Sequence, residues 1–365
     1  MILYIMIPFV LLFIMPHVQT RTLDKHNKLI LWMLVITYVI LCGLRDSGGA
    51  DDSSYRIYYE MDYGGSIFSL LGNKEPLFNI FRELGYLINA NYKWMFMCYA
   101  VFTAVIIALA LKEYFRDEPG LAIYIAAFLF LSYSSMFTVM RQATAMSLML
   151  LLYSRDNLSW KKSVLYWFAI ICCHSGFVVV LVFEIIAKKL KYRISRIFRV
   201  LVPLVCFGIG QVFNFSPIIE WFTSKIGLFS YMNTSENFGK STAIGLVLYV
   251  SFILYLIKEW LDYRHKWKQD KVCLEKKNKI AYGQMMYFSL LFLTSNLRWG
   301  NRVAYYYTLF IPFVIVDLWK LLPVKSKDRK ILSLIFKLVL YICFLIVMNG
   351  QLGEAGYQWS LNFWN

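Results

Sequence analysis

Charge is scarce in this 365-residue chain: Asp, Glu, Lys and Arg make up 16% of it, against 59% hydrophobic residues. Soluble domains carry about 25% charged and about 45–50% apolar residues, so a water-soluble globular protein is excluded. Cysteine chemistry is lacking too. Cys42, Cys98, Cys172, Cys173, Cys206, Cys273 and Cys343 fall almost entirely within apolar runs, without metal-like spacing. They read as small core residues, which argues against disulfides and zinc. No His, Asp and Glu cluster has ligand-like spacing, so neither a catalytic metal nor a cofactor is expected. No stretch between the apolar segments is long enough for a soluble domain. Segment 1–15 has no basic leader and no small-residue cleavage site, and it reads as a retained first helix.

What is present is a succession of apolar segments: roughly 1–15, 29–44, 92–111, 121–137, 141–154, 162–173, 176–187, 197–213, 242–260, 280–296, 303–321 and 331–349. A helix needs about 20 apolar residues to span a bilayer. The expectation is an all-α polytopic membrane protein of about 10–12 transmembrane helices, a single integral membrane domain over 1–365. Aromatics, 18% of the chain, suit interfacial belts.

The net charge of +16 invites a nucleic-acid reading, but its distribution opposes one. Most Lys and Arg fall in alternate loops, 16–28, 112–120, 155–162, 188–199, 258–279 and 320–330. Basic loops stay in the cytoplasm, so the charge reads as topology, both termini are expected outside, and no nucleic-acid partner is expected. The alternation holds only if residues 162–187 break at Cys172-Cys173-His174-Ser175-Gly176. The far side then holds a first large loop, 45–91, and a second, 214–241.

With that topology the unusual polar residues converge on the outer face. Arg45 closes the second segment, Arg141 follows the fourth, His174 sits at an outward turn, and Arg298 and Arg302 lie between the tenth and eleventh. Glu75 belongs to the first large loop. Each has a plainer reading. An Arg at a helix end is ordinarily an interfacial anchor, Asp51 and Asp52 suit the cap of a short loop helix, and Tyr305, Tyr306 and Tyr307 suit an aromatic belt. Arg141 is harder to dismiss. An Arg at depth costs about 2.5–3.5 kcal/mol on insertion scales, so it normally faces an interior partner. Clustered guanidinium groups bind phosphate through bidentate, charge-assisted bonds. Fixed donors stabilise a diphosphate leaving group most where its charge develops, and a His or carboxylate serves as base for an incoming hydroxyl.

In order, Gly43-Leu44-Arg45, Asp51 and Tyr55, then Glu75-Pro76-Leu77-Phe78, then Arg141-Gln142-Ala143-Thr144-Ala145, then His174, then the run Asn301 to Pro312, resemble the EpsG family, whose members are similar to Wzy-type O-antigen and capsule polymerases. The resemblance covers roughly residues 40–315. It implies a bacterial inner-membrane polysaccharide polymerase with a GT-C-like fold. Two undecaprenyl-diphosphate-linked oligosaccharides would react on its periplasmic face, without nucleotide sugar or metal, and a chain-length regulator would be a partner. On these residues it implies Arg141 and Arg302 at the diphosphate, with Arg298 and Arg45 beside them, and His174 as base or acceptor-orienting group. Asp51 or Asp52 is the substitute for that role or an orienting partner for an Arg, and this chain has Ala50-Asp51-Asp52-Ser53 where the family pattern has a Gly-Asp-Thr-like step, so both stay candidates. Glu75, Gln142, Tyr55 and Tyr306 are candidate substrate contacts, and Tyr58, Tyr59, Trp221 and Tyr231 candidate sugar contacts. Two rival functions remain. A flippase would carry polar residues through a central cavity, often with repeat symmetry, and none is evident. An O-antigen ligase-type transferase shares nearly the same site chemistry.

Overall fold

A computed structural model describes residues 25–47, 51–61, 75–116, 120–133, 136, 139–156, 158–213, 245–254, 256–257, 271–295 and 301–321, with scattered positions between 331 and 342 and the pair 358–359. The expected segment 1–15, the loop 214–241 with Trp221 and Tyr231, and Arg298 lie outside the described residues. The chain divides into two compact units, Met1–Phe177 with Pro323–Asn365, and Val178–Leu322.

In the first unit, α1 (Lys25–Tyr38) runs into a π-helical turn, Val39–Gly43. Gly43 is needed there because a Cβ would come within 2.9 Å of the Met97 sulfur. Strand β1 (Arg45–Ser47) follows and pairs antiparallel with β2 (Gln358–Trp359), the one departure from an all-helical chain among the described residues. The expected first large loop is largely folded, holding α2 (Asp52–Glu60) and α3 (Pro76–Leu87). Asp52, Tyr55 and Tyr59 recur three and four residues apart and are buried, while Ser53, Ser54, Arg56 and Glu60 face outward. Pro76 opens α3, where its missing N–H costs nothing.

The long helix of this unit is α4 (Lys93–Tyr114), 22 residues. At 1.5 Å per residue it matches a hydrocarbon core of about 30 Å. Among the described residues it is the helix long and apolar enough to cross a membrane by itself, and Lys28–Gly43, Gly245–Leu254 and Thr308–Trp319 are shorter apolar helices. Helix α5 (Leu121–Leu131) precedes α6 (Met140–Ser154), which packs along α4. Small residues (Ala100, Ala104, Ala143) let the two backbones approach, and the hydroxyls of Thr103 and Thr144 lie 2.7 Å apart between them. Helix α7 (Trp160–Cys173) packs on α6 and, through its other contacts, on α3.

The second unit takes all but the first residue of α8 (Phe177–Lys189), which resumes helical structure after the break at 174–176 that the charge alternation required. Helix α9 (Arg196–Val212) packs on α11 (Lys271–Leu293), with α10 (Gly245–Leu254) before it in sequence. At that crossing a Cβ on Gly210 would meet the Phe292 carbonyl oxygen at 2.1 Å. Helix α12 (Asn301–Tyr305), a 3-10 turn (Thr308–Phe310) and α13 (Ile311–Leu321) complete the unit. Glu184, fully buried on α8, accepts a hydrogen bond of 2.5 Å from the Tyr307 hydroxyl.

Outward faces are apolar in both units: Trp32 and Ile36 on α1, Leu165 and Phe168 on α7, Ile197 and Leu201 on α9, Val247 and Val250 on α10. Soluble monomers rarely leave contiguous apolar patches of this extent open to water, and lipid is the solvent that suits them.

Candidate anion-binding site

The site is built where four sequence-distant segments meet in the first unit. A core of Tyr55, Tyr59, Phe78, Met95, Phe96, Tyr99 and Met140 brings α2, α3, α4 and the start of α6 together. Burying these rings is the main driving force for the arrangement, since each contributes on the order of 2–3 kcal/mol.

Arg45 leaves the end of α1 and lies beneath α2. Its guanidinium donates to the Asp52 carboxylate at 2.7 Å, the two side chains are 1% and 4% exposed, and it lies 4.5 Å from the centre of the Phe96 ring. A pair so enclosed fixes α2 on α4. Asp51, one residue earlier and half-buried, occupies the N-cap position, and its carbonyl accepts from the Tyr55 N–H at 3.0 Å. Asp51 lies within electrostatic reach of the Tyr55 hydroxyl, whose acidity is weakened chiefly by burial.

Arg141, second residue of α6, is the cation that retains access, with 27% of its side chain exposed. Its guanidinium sits 5.0 Å from the Tyr55 ring centre and 5.6 Å from that of Phe78, a walled position that strengthens its field relative to water. Nη1 donates to Glu75 Oε2. The other oxygen of Glu75 accepts from the Ser175 backbone N–H at 3.3 Å and from the Ser175 hydroxyl at 3.4 Å. One carboxylate therefore ties the N-terminus of α3, the N-terminus of α6 and the turn between α7 and α8. His174 occupies that turn, half-buried, with its N–H on the Ile170 carbonyl and its own carbonyl accepting from Phe177 N–H. Gln142 is buried beside Arg141 in sequence.

A smaller polar cluster lies on the same segment as Arg45. Asp46 accepts from the Tyr92 hydroxyl at 2.5 Å and pairs with Lys93 at 3.3 Å, while Arg56 stacks 5.0 Å over the Tyr92 ring. The Tyr92 hydrogen bond above all, with help from Lys93, holds the Asp46 carboxyl below the usual range.

Of the residues singled out from sequence, Arg45, Asp51, Asp52, Tyr55, Glu75, Gln142, Arg141 and His174 thus belong to the first unit. Arg302 on α12, half-buried, and Tyr306, buried, belong to the second. Sequence reasoning missed Ser175, whose only signal was its place beside His174 in the helix break. It also missed Tyr99 and Phe96, which nothing distinguishes among 26 tyrosines and 29 phenylalanines.

Fold and site together define a helical membrane protein with a partly exposed arginine set against aromatic rings. The model of the EpsG family matches residues 28–359, and the chain belongs to that family. Membership puts it among membrane proteins of polysaccharide biosynthesis. No curated protein and no solved structure matches it.

Proposed function

We propose that this protein is a polysaccharide polymerase, joining undecaprenyl-diphosphate-linked oligosaccharide repeat units on the periplasmic face of the bacterial inner membrane. The observation that carries the reading is the Arg141 guanidinium, walled by Tyr55 and Phe78 and tied through Glu75 to the turn bearing His174. In the reaction the bond from the donor sugar C1 to its diphosphate oxygen breaks, and the electron pair stays on that oxygen. The acceptor hydroxyl oxygen bonds to C1 and its proton passes to a base. Arg141 stabilises the charge that develops on the diphosphate, in a site poor in water. His174 is the base, with Asp51 as the carboxylate able to stand in for it. The enclosed Arg45–Asp52 pair supports the geometry instead of taking part. Any role of Arg298 and Arg302 in binding phosphate rests on the family resemblance alone, as does a chain-length regulator as partner.

The test is a reaction of purified protein with lipid-diphosphate-linked repeat units, with and without chelator, read as a ladder of chain lengths. Arg141→Ala and His174→Ala abolish the ladder while the protein still accumulates in membranes. Full-length polymer from both variants would sink the assignment. In cells lacking the gene, a single repeat unit on the surface lipid marks a polymerase, whereas loss of all surface glycan marks a flippase.

A further inference from the structure

Two buried donors at the Arg141 position have no acceptor among the described residues. One is the Arg141 Nε–H, since the Glu75 bond uses Nη1. The other is the hydroxyl of Tyr99 on α4, a side chain 1% exposed. Tyr99 packs in one buried cluster with Tyr55, Phe78 and Met140, the residue before Arg141, and its phenol lies within electrostatic range of Glu75 and Arg141. Its ring is held edge-on to Phe81, centroids 5.1 Å apart, which sets the direction of the hydroxyl. An orphaned buried hydroxyl destabilises a protein, and a chain whose only need was packing would carry phenylalanine there.

The start of α6 adds to this polarity. Its cap residue, Val139, supplies no side-chain acceptor, and the first turn contains no acidic residue. The N–H groups and positive end of a 15-residue helix thus stand beside Arg141. The Tyr99 hydroxyl and the Arg141 Nε–H, buried donors from two helices, suit an incoming group made of acceptor oxygens and negative charge.

We infer that Tyr99 is a catalytic residue of the polymerase reaction, donating its hydroxyl to an oxygen of the substrate diphosphate while the Arg141 Nε–H binds a second. The inference rests on the polymerase reading. When the C1–O bond breaks, the diphosphate gains a negative charge and the Tyr99 hydrogen bond strengthens. The hydroxyl keeps its proton throughout, and the proton released by the acceptor goes to His174.

Tyr99→Phe removes the hydroxyl and little else. Three readings on purified protein test it: thermal unfolding without ligand, the rise in unfolding midpoint caused by inorganic pyrophosphate relative to sulfate of equal ionic strength, and the rate of ladder formation. Tyr99→Phe unfolds at or above the wild-type temperature, shows no pyrophosphate-induced rise, and polymerises about a hundredfold more slowly through kcat, with KM little changed. A Tyr99→Phe protein that keeps either the rise or the wild-type rate overturns the inference and leaves the polymerase reading standing. A wild-type protein that forms no ladder and is not stabilised by pyrophosphate removes both.

Discussion

Arg45 and Asp52 face each other at 2.7 Å, seven residues apart in sequence and both shut away from solvent. The contact ties the strand of Arg45 to the first turn of α2, so α2 is anchored at its start by a charge pair and not by packing alone. Removing one partner leaves a buried charge uncompensated. Arg45→Ala or Asp52→Ala therefore lowers stability by about 3–5 kcal/mol. The joint replacement Arg45→Met with Asp52→Leu costs less than either single change, because no charge is stranded. Thermal unfolding of the three variants in one detergent checks the order.

Glu75 makes a different kind of contact, bridging an arginine and a backbone N–H. Glu75→Gln keeps an acceptor for Ser175 and loses the charge opposite Arg141, whereas Glu75→Ala loses both. The alanine variant is destabilised by about 2–4 kcal/mol and the glutamine variant by roughly half that. If the turn at His174 is held through Glu75, limited proteolysis near residue 174 accelerates in the alanine variant and stays near wild type in the glutamine one.

Asp46 gives stability a pH dependence with a definite sign. Its folded pKa lies below the ordinary value of 3.8, so protons bind the unfolded chain more readily. The stability it contributes is fully present above the ordinary value and is lost as pH falls through the lower folded one. The wild-type protein should exceed Asp46→Asn in stability by a constant margin from about pH 5 upward, shrinking below about pH 4. A margin that grows on acidification would contradict the contacts from Tyr92 and Lys93.

Gly208 and Gly210 lie two residues apart in sequence on α9 and answer differently to a methyl group. Nothing lies within 4 Å of a Cβ at 208, while one at 210 would strike the Phe292 carbonyl at 2.1 Å. Gly210→Ala forces α9 away from α11 and costs about 1–3 kcal/mol or more, as overpacking does. Gly208→Ala is neutral or slightly stabilising. Equal behaviour of the two variants in thermal unfolding would refute this crossing.

Much of the helical order was legible because apolar runs are long compared with their punctuation. The expected break inside 162–187 shows this well: charge alternation alone required it, and the chain leaves helical structure at His174 and resumes it at Phe177. The need of Arg141 for an interior partner was legible as well, from the cost of a guanidinium at depth. Which partner was not, since Glu75 lies 66 residues away and nothing local points from one to the other. Adjacent Asp51 and Asp52 looked interchangeable in sequence. Helix periodicity separates them, turning Asp52 inward onto Arg45 and leaving Asp51 half-buried at the cap. Arg45, read from sequence as a phosphate ligand, is spent on that inward aspartate and on the face of Phe96. Helix α2 was foreshadowed only as a loop helix that Asp51 or Asp52 would cap, and α3, at 12 residues, is too short to stand out as a span.

The ladder between β1 and β2 joins the strand of Arg45 to Trp359, from opposite ends of the described chain. On the ribosome, the first of these strands must wait, its edge unmated, while every intervening segment is made and inserted. The pairing at Arg45 is therefore completed only once residue 359 has been made, long after its own strand.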